Sequence, residues 1–336
     1  MNLRTVLERL LQLIPVLLGV ALVVFLMMAL TPGDPVEIMV GSDDNVTPEQ
    51  IETMRPDLGL HLPLHERFFQ FVLSALRGDF GLSFYHRRPV FDVLVERLPA
   101  TIELSIAALF VALAIAIPCG VIAAVKRGSI FDKLATTAAV AGVAVPNFWL
   151  GIMLIMFFAV QLGWLPVSGQ TPTTLNIPHV TGFLLIDSLL WGRPDAFLAV
   201  LRHLALPALT LGAALSALLM RVTRSAMIET LQQDYTAFAI AKGLPRRHVI
   251  IRHALRNAMI PVVTVIALDF GSLLSGSIIT ETIFSWPGVG RVLIEGVTTR
   301  NYPLVQTTVL MFAVFYIAAN FIADMLYVAI NPRVRL

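Results

Sequence analysis

The sequence predicts an all-α integral membrane protein with about six transmembrane helices. Hydrophobic residues make up 57% of the 336 residues and charged residues only 14%, about half the charged share of a typical soluble domain. The apolar residues also occur in runs of about twenty or more, the length that an α-helix needs to cross a bilayer. The net charge of +2 gives no electrostatic support for nucleic-acid binding.

Six apolar runs are the predicted spans. They occupy residues 10–30, 100–125, 134–162, 204–220 or 204–227, 258–280 and 304–330. The first run is longer than the roughly 7–15 apolar residues of a secretory signal, so we expect it to stay in the membrane. Pro32-Gly33-Asp34-Pro35 ends this run and Pro146 interrupts the third, because proline lacks a backbone donor and disfavours helix in the residue before it.

The connection after the first span is the longest polar segment. Residues 33–99 are too charged to span, and we expect a small lobe with short helices near residues 48–54 and 65–76. The chain is therefore divided into an N-terminus with the first span (residues 1–32), this lobe, and a five-helix core (residues 100–336). The core contains a polar, basic loop at residues 229–257.

Charge asymmetry predicts the orientation. All three lysines and many arginines fall in the two termini and in the connections at residues 126–133 and 221–256, whereas the lobe carries eleven acids against six arginines. Short loops rich in Lys and Arg stay on the cytoplasmic side. Both termini are therefore predicted to be cytoplasmic, with the lobe outside.

Catalytic and cofactor motifs are missing from the sequence. None of the three lysines lies in the glycine-rich pattern of a P-loop, and no histidine pair has the spacing of a zinc site. Cys119 stands alone in an apolar run and is interpreted as a packing residue. We therefore expect no catalytic residue, metal or cofactor in this chain. Uphill transport would draw on an ion gradient or a partner ATPase.

The basic loop is the most distinctive segment. Two short helical patterns flank Gly243-Leu244-Pro245, which is a turn signal, and a side chain at Gly243 is expected to strain the backbone. A basic loop lying on anionic lipid would account for the arginines. It would leave the helix–glycine–helix unit unexplained.

The stretches DYTAFAIAKG and RHALRNAMIPVVT in this loop resemble the signature cytoplasmic loop of ABC importer permeases, in the dipeptide/oligopeptide (and nickel) branch. In that family the loop forms a coupling helix that docks in a groove of the ATPase. The general signature has Glu-Ala-Ala where this sequence has Ala237-Phe238-Ala239, a departure that is usual in the peptide branch. Other similar segments are Pro32-Gly33-Asp34-Pro35, residues 123–129, residues 280–290, Tyr302-Pro303 and Asn331-Pro332-Arg333. The long first lobe resembles that of the first (B-type) dipeptide permease subunit.

The resemblance implies a non-catalytic permease subunit that translocates dipeptides or short peptides across the bacterial inner membrane. It implies a second homologous permease subunit forming a heterodimer, two ATPase subunits that bind ATP and Mg, a periplasmic solute-binding protein, and membrane lipid. The residues implied to couple to the ATPase are Asp234, Tyr235, Phe238, Ala241, Lys242, Gly243, Arg246 and Arg247. The residues implied at the periplasmic gate or in contact with the binding protein are Glu281, Phe284, Trp286, Pro287 and Gly288.

Ionisable residues inside the predicted spans are candidates for the solute path. A charge at mid-bilayer is costly unless it is buried, paired or wetted. Asp269, with Ser272 and Ser275 nearby, is a candidate for lining the path, and hydrogen-bonded helix packing is the alternative. For Asp324 packing is the preferred interpretation, and for Glu103 it is packing or a contact with Arg97.

Two other functional classes fit the sequence less well. An ion-coupled secondary transporter is the alternative to an ATP-driven permease, but the sequence has no apparent inverted repeat. An intramembrane enzyme would need a nucleophile–base pair or a metal cluster, and neither is apparent. The sequence leaves the solute open among dipeptides, oligopeptides, glutathione and nickel chelates.

Overall fold

Helices account for nearly all regular structure in the described part of the computed structural model, apart from an isolated bridge between Leu82 and Pro89. The structure describes residues 3–30, 61–83, 85–172, 174–175, 177–178 and 180–330; within these, the side chains of residues 3–12, 275, 276, 323, 324 and 326–330 are not described. The predicted all-α fold is confirmed. The predicted turn at residues 32–35, the predicted helix at residues 48–54 and the motif at residues 331–333 lie outside the described residues.

The helices follow the predicted runs, with added polar ends. In chain order they are α1 (Leu3–Ala29), α2 (Leu64–Leu76), α3 (Val90–Val125), α4 (Ile130–Ala144), α5 (Asn147–Leu154) continued by a π-helical segment (Ile155–Gln161), α6 (Leu184–Leu190), α7 (Pro194–Leu231), α8 (Asp234–Ala241), α9 (Arg246–His248) continued by a π-helical segment (Val249–Leu255), α10 (Arg256–Gly276), α11 (Ile278–Ile283), α12 (Val289–Thr298) and α13 (Tyr302–Ile330).

Four helical stretches in the described residues are long and apolar enough to cross a membrane: Val90–Val125, Pro194–Leu231, Arg246–Leu274 and Tyr302–Ile322. A fifth span results if α4 and α5 with its π-helical continuation are one broken span, since they meet at 104°. The break falls at Val145 and Pro146, both extended, as proline is expected to impose on the residue before it. The apolar part of α1 covers Leu13–Ala29. Six spans therefore stay a prediction.

The helices differ from the predicted apolar runs in their bounds. α3 and α7 each begin ten residues before the predicted spans, at Val90 and Pro194, because polar turns continue the helices beyond their apolar parts. The fifth predicted run ends as a continuous helix at Gly276 and restarts at Ile278 as the short α11. Hydropathy marks the apolar portion of a helix, whereas backbone hydrogen bonding continues into its polar ends.

By packing, the chain divides into two compact units, one of Met1–Pro99 with Pro287–Phe315 and one of Ala100–Trp286 with Tyr316–Leu336. The predicted division at residues 32 and 99 follows sides of the membrane and stays a prediction. In the first unit, Phe25 of α1 packs against Phe68 and Phe71 of α2 at centroid distances of 5.5 and 6.2 Å. Asn301 Nδ2 also donates to Ser83 Oγ at 2.7 Å.

In the second unit, α7 packs against α4, α5, α6 and α10 and contacts α3 at glycine positions. A Cβ added at Gly212 would lie 2.7 Å from the Ala108 carbonyl oxygen, and one added at Gly120 would lie 2.7 Å from the Thr223 Cβ. Small residues let helices in a membrane approach closely. α3 and α7 are therefore in direct backbone-level contact at two places.

Candidate functional site

The short helix α8 is held to its neighbours by one side and presents the other outwards. Thr236 and Ala239 are buried, and Thr236 Oγ1 donates to the Thr230 carbonyl at 2.8 Å, which ties α8 to the last turn of α7. Asn257 Nδ2 donates to the Tyr235 hydroxyl at 2.9 Å, which ties α8 to the first turn of α10. α8 is therefore fixed to both long helices that it separates.

The outer side of α8 carries large apolar groups. Phe238 is 60% exposed and Ile240 54% exposed, with Tyr235 also exposed. The Lys242 ammonium lies 4.6 Å from the centre of the Phe238 ring, a cation–π contact that leaves most of the ring uncovered. Large exposed apolar side chains outside the predicted spans are typical of a protein–protein contact.

Gly243 ends α8 in a left-handed conformation, as the turn signal predicted. Its φ is +79°, its N–H donates to the Ile240 carbonyl at 2.9 Å, and the next N–H, of Leu244, donates to the Ala239 carbonyl at 3.3 Å. This is the pattern by which glycine caps a helix C-terminus. A Cβ added at Gly243 would meet no atom within 4 Å, so only the backbone angle requires glycine.

The chain returns to the membrane through α9 and its π-helical continuation. Val249, Ala254 and Ala258 are buried, and the last two pack with Ala226 and Met227 of α7. The basic side chains of this segment are exposed, as are the remaining predicted coupling residues: Asp234, Ala241, Lys242, Arg246 and Arg247. All eight predicted coupling residues thus lie on one continuous segment with an exposed surface. No sequence pattern predicted the π-helical turns.

An ion pair that no sequence pattern predicted joins the first turn of α4 to α7. Asp132 is buried and accepts bonds from Arg224 Nε and, at 2.8 Å, from Arg224 Nη2. The Gly128 N–H donates to the same carboxylate at 2.9 Å, and Ser129 Oγ caps α4. Serine followed by an acid three residues later resembles a helix start, but nothing local indicated the partner 92 positions away.

The predicted path residues do not form a cluster in the described residues. Asp269 is half-buried, and its buried Oδ2 has no hydrogen-bond partner among the residues described. Ser272 is exposed, and its hydroxyl donates to the Asp269 backbone carbonyl at 2.8 Å rather than to the carboxylate. The side chains of Ser275 and Asp324 are not among those that the structure describes. Two residues after Asp269, Gly271 packs against Ala319 of α13.

The predicted outer-gate residues are mostly buried. Glu281 Oε1 accepts hydrogen bonds from Thr101 Oγ1 and Ser277 Oγ, both at 2.8 Å, and Trp286 Nε1 donates to the Ala100 carbonyl at 2.8 Å. These bonds fix the segment around α11 to the part of α3 after Ala100. The residues joined by Thr101–Glu281 and Ala100–Trp286 are 180 and 186 positions apart, so no local sequence pattern predicts these bonds.

Phe284 extends the same packing. It is buried, and a Cβ added at Gly151 of α5 would lie 3.2 Å from its ring. Pro287 is partly buried and Gly288 buried; they belong to the other unit, where Gly288 is the N-cap of α12. The turn predicted at Pro287-Gly288 lies earlier, at Phe284 and Ser285, and Gly288 is a bend in extended conformation.

Glu103 is hydrogen-bonded, as expected of a packing residue. It is buried, its Oε2 accepts a bond from Gln170 Nε2 at 3.0 Å, and its Oε1 accepts one from the Leu185 N–H at 2.8 Å. The carboxylate thus attaches two parts of the connection between α5 and α7 to α3.

Comparison with protein families identifies the chain's class. The family described as binding-protein-dependent transport system inner membrane component matches residues 116–336, and its N-terminal companion matches residues 2–105. The chain belongs to this family of transport-system membrane components. Solved structures of the inward-facing MetNI methionine ABC transporter share the fold of this family member. Two crystal forms give TM-scores of 0.51 and 0.54 at 17% and 15% identity, and cover 72% and 71% of this chain and 97% and 96% of theirs.

Curated relatives of this family member cover nearly its whole length. The dipeptide transport system permease protein DppB of Escherichia coli (strain K12) is 45% identical over 336 residues, 99% of each chain. The di/tripeptide transport system permease protein DppB of Pseudomonas aeruginosa (strain UCBPP-PA14) is 46% identical, over 98% of this chain and 97% of its own. The glutathione transport system permease protein GsiC of Escherichia coli (strain K12) is 42% identical over 98% of each.

Proposed function

We propose that this chain is the non-catalytic permease subunit of an ATP-driven importer that carries dipeptides or short peptides across the bacterial inner membrane. The proposal is supported by full-length similarity to permeases named for dipeptides and di/tripeptides. The relative named for glutathione also handles a short peptide. A short peptide is therefore the solute class that these names share.

The observation that best supports ATP-driven transport is the set of exposed apolar side chains on α8. A large aromatic side chain such as Phe238, solvent-exposed and set on a rigid helix, is typical of an interface anchor. We assign α8 and the basic residues that follow Gly243 as the docking site for an ATPase subunit. ATP and Mg would be bound by that partner, and this chain would supply the surface.

Movement of α8 has a direct route into the membrane part of the second unit. The Thr236–Thr230 bond joins α8 to α7, and α7 contacts α3 closely at Gly212 and Gly120. Packed helices transmit displacement because protein interiors have few voids. A shift of α8 caused by closure of the ATPases would therefore turn α7 against its neighbours and change access to the solute path.

The remaining residue roles are assigned by position. Asp269, with Ser272 and Ser275, is proposed to line the path, because a half-buried carboxylate within a span favours a polar environment. Glu281, Phe284 and Trp286 are proposed to brace the outer gate from within, and Pro287 and Gly288 to connect it to α12. Because Glu281, Phe284 and Trp286 are buried, we propose that other residues of this region contact the binding protein directly.

The proposed assembly contains a second homologous permease subunit, two ATPase subunits and a periplasmic solute-binding protein, with both termini of this chain cytoplasmic. Reporter fusions test the orientation: fusions at Gly128 and Gly243 are expected to report cytoplasm, and fusions at Asp43 and Gly169 periplasm. The same side for Gly128 and Asp43 would overturn the orientation.

Uptake by the reconstituted complex tests the function. Liposomes that contain this chain with its partner subunits are expected to accumulate labelled dipeptide when ATP and the binding protein are supplied. A non-hydrolysable ATP analogue should abolish accumulation, and a protonophore should leave it unchanged. Accumulation by this chain alone, driven by an ion gradient and independent of ATP, would instead establish the secondary-transporter alternative.

A further inference from the structure

The short helix α6 has its polarity inverted. Asp187 and Ser188 are completely buried, whereas Leu189 is 61% exposed, Leu190 63% exposed, and Ile186 also exposed. The three exposed residues are spaced three and four apart, so they lie on one face of the helix. In water such an arrangement would be unfavourable, since each exposed leucine forgoes the gain of burial.

Hydrogen bonds hold this face outwards. The Asp187 carboxylate accepts bonds from the N–H groups of Val180, Thr181 and Gly182 at 3.2, 2.9 and 3.1 Å, and from Thr181 Oγ1 at 2.7 Å. Burial disfavours the charged form, but these four bonds outweigh burial and lower the pKa of Asp187. A buried charge paired in this way cannot leave its site cheaply. α6 therefore cannot rotate to hide its leucines.

The contacts of α6 fix its level along the spans. The Leu185 N–H donates to Glu103 at 2.8 Å, and Glu103 lies three residues inside the predicted second span. Leu184 packs with Ala196 and Val200 of the first turns of α7. α6 thus lies beside the ends of two candidate spans, and in the predicted topology these ends are at the boundary between the membrane and the outer aqueous phase.

We propose that the outward face of α6, formed by Ile186, Leu189 and Leu190, is immersed in the interface of the outer leaflet of the bilayer, with the exposed Trp191 directly after the last turn of the helix. The first turns of α7, packed beside it, also present exposed leucines, Leu198 and Leu201, so the apolar face continues a surface of a spanning helix. Tryptophan at the end of such a face is typical of the membrane–water interface.

Charged residues lie at the water-exposed end of this face. After Trp191 and Gly192, the partly exposed Arg193 and the exposed Asp195 form an ion pair at 2.8 Å. Apolar side chains, then an aromatic ring, then a solvated ion pair follow the polarity gradient from acyl chains to water. A protein partner would require no such order. The inference is independent of the solute and of ATPase docking.

The face also has a structural consequence. Glu103 holds both Leu185 and Gln170, and the neighbouring Gly169 N–H donates to the Phe284 carbonyl at 2.8 Å. Through these bonds, anchoring α6 in the interface would fix the height of the connection between α5 and α7, and with it the segment around α11.

Spin labelling tests the proposal in the assembled complex in liposomes. Because Cys119 is the only cysteine, a Cys119→Ala background allows a nitroxide at Leu190→Cys, with Leu189→Cys as a second reporter and Asp195→Cys as the water-facing control. Power saturation with oxygen, which partitions into lipid, and with the water-soluble reagent Ni-EDDA gives the accessibility of each label. Retained ATP-dependent uptake establishes that each labelled complex is assembled.

We expect a gain in oxygen accessibility and a loss of Ni-EDDA accessibility at both leucine positions relative to Asp195→Cys. Ni-EDDA accessibility equal to that at Asp195→Cys would place the face in water and overturn the proposal. Low accessibility to both reagents would mean that a protein covers the face, which would overturn it equally. Neither outcome would affect the proposed import function, which is measured by uptake.

Discussion

Gly243 offers a substitution whose cost can be worked out from the structure. Its φ is +79° and the position of a Cβ there is empty within 4 Å, so Gly243→Ala adds backbone strain without a clash. An L-residue held in the left-handed region costs about 1 kcal/mol relative to glycine. That energy corresponds to roughly a fivefold loss of the native turn population relative to its alternatives.

Because α8 and the residues after Gly243 must present one rigid surface, we expect Gly243→Ala to weaken retention of the ATPase subunits and to reduce uptake by up to about fivefold. Gly243→Val should be worse, since a β-branched side chain restricts the backbone further. Gly243→Asn should retain more function than Gly243→Ala, because asparagine tolerates the left-handed region best among non-glycine residues. Co-purified ATPase and dipeptide uptake are the two readouts.

Gly78 provides a matched control. It has the same φ, +79°, and also no atom within 4 Å of an added Cβ, but it lies in the predicted external lobe. Gly78→Ala should impose the same local strain and leave ATPase retention at the wild-type level. Equal losses in both variants would mean that general destabilisation is being measured. Wild-type retention and uptake in Gly243→Ala and Gly243→Val would refute the coupling role.

Three further substitutions separate the proposed roles. Phe238→Ala should dissociate the ATPases at a cost of about 2 kcal/mol or more, whereas a lipid-facing basic loop predicts that only removing the arginines matters; co-purification decides. Asp132→Asn should lower the free energy of unfolding by about 1–3 kcal/mol, measured by thermal unfolding in detergent. The double variant Asp132→Arg, Arg224→Asp should recover part of that loss. No recovery would mean that the loss does not come from the ion pair. Asp269→Leu should impair uptake while assembly and basal ATP hydrolysis persist, and normal uptake would leave helix packing as its role.

Local chemistry predicted much of the fold. Apolar length predicted the helices, Pro146 predicted the break between α4 and α5, and the Gly243 turn was predicted from its glycine–leucine–proline signal. Each of these features depends on residues close in sequence. The helix near residues 65–76 was confirmed as Leu64–Leu76 for the same reason.

The contacts that were not predicted join residues far apart in the sequence. The carboxylate of Glu281 meets a hydroxyl donor 180 positions away in Thr101, and Asp132 meets Arg224 across 92 positions. No periodicity or turn signal specifies such a partner. The inverted α6 escaped prediction because its apolar residues were few and its polar residues look exposed until their partners are known.

Photocrosslinking from position 238 tests most directly whether α8 is where an ATPase engages this chain. A photoreactive phenylalanine analogue in place of Phe238 keeps the aromatic anchor and reports what lies against it in intact membranes. We expect the crosslinked product to contain an ATP-binding subunit with a P-loop. The same analogue at Phe110, an exposed position in the middle of α3, should give no such product. Crosslinks from position 238 to lipid alone, in membranes that support ATP-dependent uptake, would contradict docking through α8.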